Sequence, residues 1–168
     1  LGEKSALKPL LKALKNDKRR SSAIEALGGI REAKAAKALL PFLKNENANI
    51  RTQAISSLGL IGNTMAIGPL ADLLGTEKDK NAQAGIIEAL GKLHARKASQ
   101  SIAAFLQDEN SQMRITAARS LLNIAAPDSA AALVQALDDR ESIVRDYAYK
   151  ALKKITRADC GFYPDAWR

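Results

Sequence analysis

Residues 50–62 read Ile50-Arg51-Thr52-Gln53-Ala54-Ile55-Ser56-Ser57-Leu58-Gly59-Leu60-Ile61-Gly62, and this stretch decides the fold because the chain keeps returning to it. Met113-Arg114 and Val144-Arg145 repeat the step from an apolar residue to arginine. In each copy an alanine and then a leucine follow at the same offsets: Ala54 and Leu58, Ala117 and Leu121, Ala148 and Leu152. Offsets of three and seven place these side chains on one face of a helix. Two degenerate copies have Arg20 leading to Leu27-Gly28 and Gln83 leading to Leu90-Gly91. The copies recur every 31–32 residues. A period of that length marks a stack of small units, each packed on its neighbours rather than around one central core.

The composition agrees with such a stack. Of the 168 residues, 46% are hydrophobic and only 4% aromatic, which suits thin helical layers packed through small side chains. Ten glycines and five prolines are too few for a loop-rich or all-β chain. No run of eighteen apolar residues is long enough to span a bilayer, and no leader sequence is visible. The chain begins at Leu1, and the expectation is a monomeric module of a longer chain. The lone Cys160 excludes an internal disulfide framework and leaves the compartment open between cytoplasm and periplasm. The net charge of +8 is uneven: residues 1–44 hold 11 Lys/Arg against 4 Asp/Glu, whereas residues 99–168 hold 9 of each.

Each copy reads as two helices: about 5–15 with 18–29, 34–44 with 47–61, 65–75 with 79–93, 97–107 with 110–124, and 128–138 with 141–156. Repeat boundaries follow at about 5–32, 33–63, 64–95, 96–126 and 127–156. Pro9, Pro69 and Pro127 fall in or near the first turn of a first helix, where a missing N–H costs little. Pro41 lies deeper and predicts a kink. Lys18-Arg19-Arg20 reads as a tight turn. Asn and Asp in the turns 44–47 and 107–110 can cap the second helices. Gly28, Gly59 and Gly91 recur where a neighbouring helix must come close. Residues 157–168 have no helical period and carry three of the seven aromatics, so they read as an irregular tail covering the last layer.

The pattern resembles the HEAT-repeat family in its short, phycobilisome-lyase-like bacterial form. The matching residues are Pro69-Leu70 with Leu73-Leu74 in a first helix, then Ile-Arg-x-x-Ala-Ile-x-x-Leu-Gly-x-Ile-Gly from Ile50 to Gly62. The likeness covers residues 5–156. Signatures of tetratricopeptide and ankyrin repeats are missing. The resemblance implies an all-α, right-handed, armadillo/HEAT-like α-solenoid that binds a protein or peptide on a concave face lined by the second helices. It also implies an absence of catalytic residues.

On that reading, one exposed slot of the second helices runs Glu25, Ser56, Glu88, Arg119, Lys150, and another Ser22, Gln53, Gly85, Thr116, Tyr147. Arg119, Tyr147 and Lys150 are the leading partner-contact candidates, with Glu88 and Gln53 beside them, because Tyr and Arg are favoured as interface anchors. Arg51, Arg114 and Arg145 read as structural, reaching carbonyls or acids such as Glu46, Asp108, Asp139 or Glu141. A second candidate surface is a basic patch of Lys4, Lys8, Lys12, Lys15, Lys18 and Arg19, with Lys34, Lys37 and Lys44 following. It would suit nucleic acid, anionic lipid or an acidic protein, or serve only as a solubilising face. With no aromatics interleaved, stacking on a single strand is not supported.

Chemistry-bearing motifs are absent. The single His94 has no Cys or carboxylate at ligand spacing, and no phosphate loop, Gly-x-Ser-x-Gly, Cys-x-x-Cys or His-Glu-x-x-His occurs. The sequence therefore predicts no catalytic residue, no metal and no cofactor. It predicts a non-enzymatic protein-binding scaffold, with nucleic-acid or anionic-surface binding as the alternative. A chromophore-lyase-like subunit is a third reading, carried by the family's name alone.

Overall fold

The computed structural model describes residues 2–167, with side chains from residue 6 onward. All regular structure among the described residues is helical. The helices are α1 (Gly2–Ala13), α2 (Asp17–Gly28), α3 (Ala33–Leu39), α4 (Ala48–Ile61), α5 (Ile67–Leu74), α6 (Lys80–Lys92), α7 (Ser99–Ala103), α8 (Ser111–Ile124), α9 (Ala130–Gln135) and α10 (Ser142–Thr156). None of the described helices is long and apolar enough to cross a membrane. The chain divides into two compact units, Leu1–Ala89 and Leu90–Arg168.

The long even-numbered helices each bury an apolar stripe, and four of them, α2, α4, α6 and α8, also start at a side-chain cap. Asn16, Asn47 and Asn110 accept from backbone N–H groups two residues on, at 2.8–3.0 Å. This satisfies donors that the first helical turn leaves without partners. Asp79 does the same for α6 by accepting from Ala82 N at 2.8 Å. In the first unit α2 packs on α4 and buries Ile24, Leu27, Ile55 and Leu58 completely. In the second, α8 packs on α10 and buries Ala117, Leu121, Val144 and Ala148. Each fully buried Leu or Ile contributes roughly 1.5–3 kcal/mol from apolar transfer.

The contact between second helices depends on two glycines. A Cβ added at Gly28 would lie 2.8 Å from Ser57 Oγ and 3.1 Å from Ser57 Cα. One added at Gly91 would lie 2.8 Å from Ser120 Cβ and 3.0 Å from its Cα. Glycine facing serine, once in each unit, lets backbone approach backbone. Ser57 Oγ, buried there, donates to Ile24 O at 3.0 Å.

The first helices differ from the sequence reading. α1 is continuous, but α3, α5, α7 and α9 are short α-helical stretches joined to 3-10 turns. α3 stops at Leu39 and tightens into a 3-10 turn over Leu40–Lys44. Pro41 offers no N–H to the i→i−4 ladder, and its ring would clash with the carbonyl four residues back. α7 and α9 are likewise flanked by 3-10 turns, at Arg96–Ala98 and Ala104–Gln107 and at Pro127–Ser129 and Ala136–Asp138. Pro69 and Pro127 do lie in first turns, but Pro9 sits well inside α1. Lys18, Arg19 and Arg20 form the first turn of α2 rather than a loop, because Asn16 caps the helix one residue before Asp17.

After α10 the chain turns at Arg157 (φ 61°) and folds back on Tyr149. The Tyr149 ring lies 4.5 Å from Phe162 and, edge-on, 6.3 Å from Trp167. Trp167 Nε1 donates to Gly161 O at 2.8 Å. Asp159 accepts from Tyr149 Oη at 2.7 Å and from Lys153 Nζ at 2.6 Å. These bonds, from Lys153 first, hold its carboxyl down at about 2.

Candidate functional site

The repeated arginine position has one geometric role in every copy. Its side chain returns to the carbonyl six residues earlier and so closes the turn within its own helix pair. Arg20 donates to Leu14 O, Arg51 to Asn45 O, Gln83 to Glu77 O, Arg114 to Asp108 O, and Arg145 to Asp139 O, all at 2.7–3.1 Å. Arg51, Arg114 and Arg145 also reach the carbonyl five residues back.

Two of these arginines also reach forward into the turn of the following copy. Arg51 makes a two-pronged contact with the Glu77 carboxylate at 2.8 and 2.9 Å. Arg114 does so with Asp139 at 2.7 and 3.2 Å. Side-chain exposures are 17% and 4% for the first pair and 6% and 9% for the second. Glu77 also accepts from the N–H groups of Lys78 and Asp79, and Asp139 from that of Glu141. Bonding to Arg51 carries the Glu77 carboxyl from its ordinary 4.5 down to about 2, against the opposing effect of burial. At Asp139 burial pushes upward, but Arg114 and the Glu141 N–H outweigh it and the net direction is down. Each arginine thus ties its own turn to the next one. Of the acids named from sequence, Asp139 fills this role, Glu46 and Asp108 meet the arginines through their carbonyl oxygens, and Glu141 gives its N–H to Asp139; Glu77 was not foreseen.

The partner-contact candidates are spread over both units. Gln53 is half-buried on α4 and accepts from Ser21 Oγ at 2.7 Å, so it joins α4 to α2. Glu88 is half-buried on α6. Arg119 on α8 and Tyr147 on α10 are half-buried on adjacent packed helices. Lys150 is exposed, but its ammonium is 2.7 Å from Asp146 one turn back, so the basic ridge is partly neutralised. In the basic patch, Lys8, Lys12, Lys15, Lys18 and Arg19 are all exposed, while the Lys4 side chain lies outside those described. α1 ends at Ala13, so Lys15 belongs to the turn and not to a helical face shared with Lys8 and Lys12.

A feature that sequence reasoning missed is a groove of about 1110 Å³ in the first unit. Its apolar lining comes from Leu40, Pro41 and Leu43 on one side and Pro69 and Leu73 on the other, with the Arg51–Glu77 pair at one end. Lys37, Lys44, Glu46, Asp72 and Lys78 stand exposed around it. The corresponding pocket of the second unit, between Leu106 and Arg140, has only about 310 Å³, and Arg140 Nη2 reaches across to Glu109 O at 3.1 Å. The one signal in the sequence was Pro41. It marks where the first wall leaves α-helical geometry. No group of His, Cys, Asp and Glu side chains suited to a metal occurs among the described residues. His94 is exposed in its turn, with Nδ1 2.9 Å from Asn123 O.

Comparison with known proteins adds what geometry alone does not. The chain is 33% identical over 103 residues to the bilin biosynthesis protein PecE of Mastigocladus laminosus, across 61% of this chain and 38% of PecE. It therefore spans about two fifths of the length of that relative. The complex of CpcE and CpcF of phycocyanin lyase from Nostoc sp. PCC7120 has a similar fold. Its TM-score is 0.66 at 25% identity, over 91% of this chain and 65% of that one. A designed armadillo repeat protein bound to the peptide (KR)4 reaches a TM-score of 0.72 at 19% identity, over 90% and 82% of the two chains. The all-α solenoid expected from the repeat is thus the fold. The expectation of a non-enzymatic module is overturned. The relatives are a bilin biosynthesis protein and the CpcE–CpcF complex of phycocyanin lyase, neither of them named as a mere scaffold. The HEAT-repeat pattern matches residues 5–91 and 70–153, nearly the whole chain, and the protein belongs to the HEAT-repeat family.

Proposed function

We propose that this chain is the HEAT-repeat part of a bilin lyase-type protein, and that its helix pairs hold a polypeptide partner during bilin handling. The observation that carries the reading is the 33% identity to PecE across 61% of the chain. The likeness to the CpcE–CpcF complex supports it, because there the fold works as part of a two-protein assembly. The local geometry is compatible with such a role. Turns clamped by Arg51–Glu77 and Arg114–Asp139 give rigid helix pairs, and a rigid surface loses little conformational entropy on binding. Within the second unit, Arg119, Tyr147 and Lys150 are the contacts we assign to the partner. Calorimetric titration of the chain into apophycocyanin tests this. Saturable binding, weakened in an Arg119→Glu, Lys150→Glu variant that keeps its helical circular dichroism, is expected. Absence of heat beyond dilution would refute the holding role.

A further inference from the structure

We infer that the groove between the 3-10 turn Leu40–Lys44 and α5 docks a short acidic polypeptide segment of a partner, anchored by apolar side chains and held by Lys37, Lys44 and Lys78. The inference deepens the protein-holding role proposed above and rests on it only for the claim that a polypeptide is the partner.

The groove is open and its floor is apolar. Leu40, Leu43 and Leu73 supply the floor, with Pro41 and Pro69 at its edges. Proline fixes φ at both walls, so this apolar surface is preformed rather than collapsed.

Charge selects the occupant. The wall from residue 33 to 44 carries Lys34, Lys37 and Lys44 and not one Asp or Glu. The facing helix α5 carries Asp72 alone, and Lys78 stands exposed beyond its end. Glu77, the acid deepest in the lining, is already matched by both prongs of Arg51 and by the N–H groups of Lys78 and Asp79. With Arg51 and Glu77 paired, the lining keeps Lys37, Lys44 and Lys78 against the exposed Glu46 and Asp72, so the balance is positive and a segment bearing carboxylates is complementary to the lysine side.

Length favours a chain segment over a compact ligand. Lys37 to Lys44 spans about 10–14 Å at helical and 3-10 rises, which accommodates about three or four extended residues. The volume of about 1110 Å³ exceeds what a single side chain fills. The corresponding position of the second unit has no such space, since Arg140 bridges it where the first unit has Lys78.

The test is selection of a random dodecamer peptide library displayed on phage against the chain. Fluorescence anisotropy with synthetic, fluorescein-labelled versions of the enriched peptides follows. Enriched sequences should place Asp or Glu beside Leu or an aromatic residue. Their affinity should fall about tenfold or more in Lys37→Glu, Lys44→Glu, and also when salt is raised from about 50 to about 500 mM. An Arg119→Glu, Lys150→Glu variant should bind them like the wild type. Both lysines are exposed, so the double variant keeps the fold. Leu73→Lys is a second disruption of the floor, and if it unfolds the lysine variant still decides. Lack of enrichment, enriched peptides without carboxylates, or equal binding to the lysine variant would overturn the inference. Bilin attachment is scored in a separate assay, so failure of the lyase-type reading and failure of this site are distinguishable.

Discussion

Glu77 offers the sharpest test of the clamp between successive turns. Its side chain is 4% exposed and is held by Arg51 at 2.8 and 2.9 Å. Its carboxyl lies at about 2 in the folded chain against an ordinary 4.5. At about 1.4 kcal/mol for each tenfold change in proton affinity, this gap stabilises the fold by about 3 kcal/mol at neutral pH. The folded value is depressed, so the contribution is fully present above pH 4.5 and disappears as pH falls from there towards 2. Urea unfolding of the wild type and of Glu77→Gln, followed by far-ultraviolet circular dichroism, reads the effect directly. The variant should be less stable by about 2–3 kcal/mol at pH 7, and near pH 2 the two proteins should differ by well under about 1 kcal/mol. Comparing two proteins at each pH cancels the other carboxylates. A difference that stays constant across this range, or is below about 0.5 kcal/mol at pH 7, would refute the argument that Arg51–Glu77 fixes the turn.

Five further substitutions probe the same packing. Arg114→Ala leaves Asp139 buried without its partner and should cost about 3–5 kcal/mol. Arg145→Ala removes only bonds to two carbonyls and should cost about 1–2 kcal/mol; equal losses in urea titration would contradict the distinction. Gly28→Ala forces a Cβ against the Ser57 backbone and should destabilise by about 1–3 kcal/mol. Gly85→Ala, whose Cβ would meet Ile55 Cγ2 at an ordinary 3.5 Å, should stabilise α6 by up to about 1 kcal/mol in thermal melts. Tyr149→Ala removes the ring that Phe162 and Trp167 rest on, so fluorescence of the single Trp167 should shift to the red while helical content stays constant.

Much of the fold is legible in the sequence because the period and the long helices are local properties. The arginine step, the alanine three residues on and the leucine seven on predict α4, α8 and α10, and Asn47 and Asn110 mark where two of them start. The breaks in the first helices are harder to read. Pro41 announces one of them, but the 3-10 turns around α7 and α9 carry no proline except Pro127 and arise from terminal tightening. The partner of Arg51 lies 26 residues on, outside any local motif, and only the packed turns show that Glu77 and not Glu46 supplies the carboxylate. The candidate surfaces were less legible still. Reading slots by offset treats Gln53 and Lys150 as available, whereas Ser21 and Asp146 engage them. The groove beside Leu73 is lined by residues from Lys37 to Lys78, and no single residue encodes that.

As proposed above, this HEAT-repeat chain serves bilin lyase-type chemistry on a protein partner. The most direct test of that proposal is the rate at which phycocyanobilin becomes covalently attached to apophycocyanin, scored as visible absorbance that stays with the protein after acid denaturation. The rate should exceed the spontaneous one when the chain is present and fall again with Arg119→Glu, Lys150→Glu. The same rate with and without the chain would contradict it.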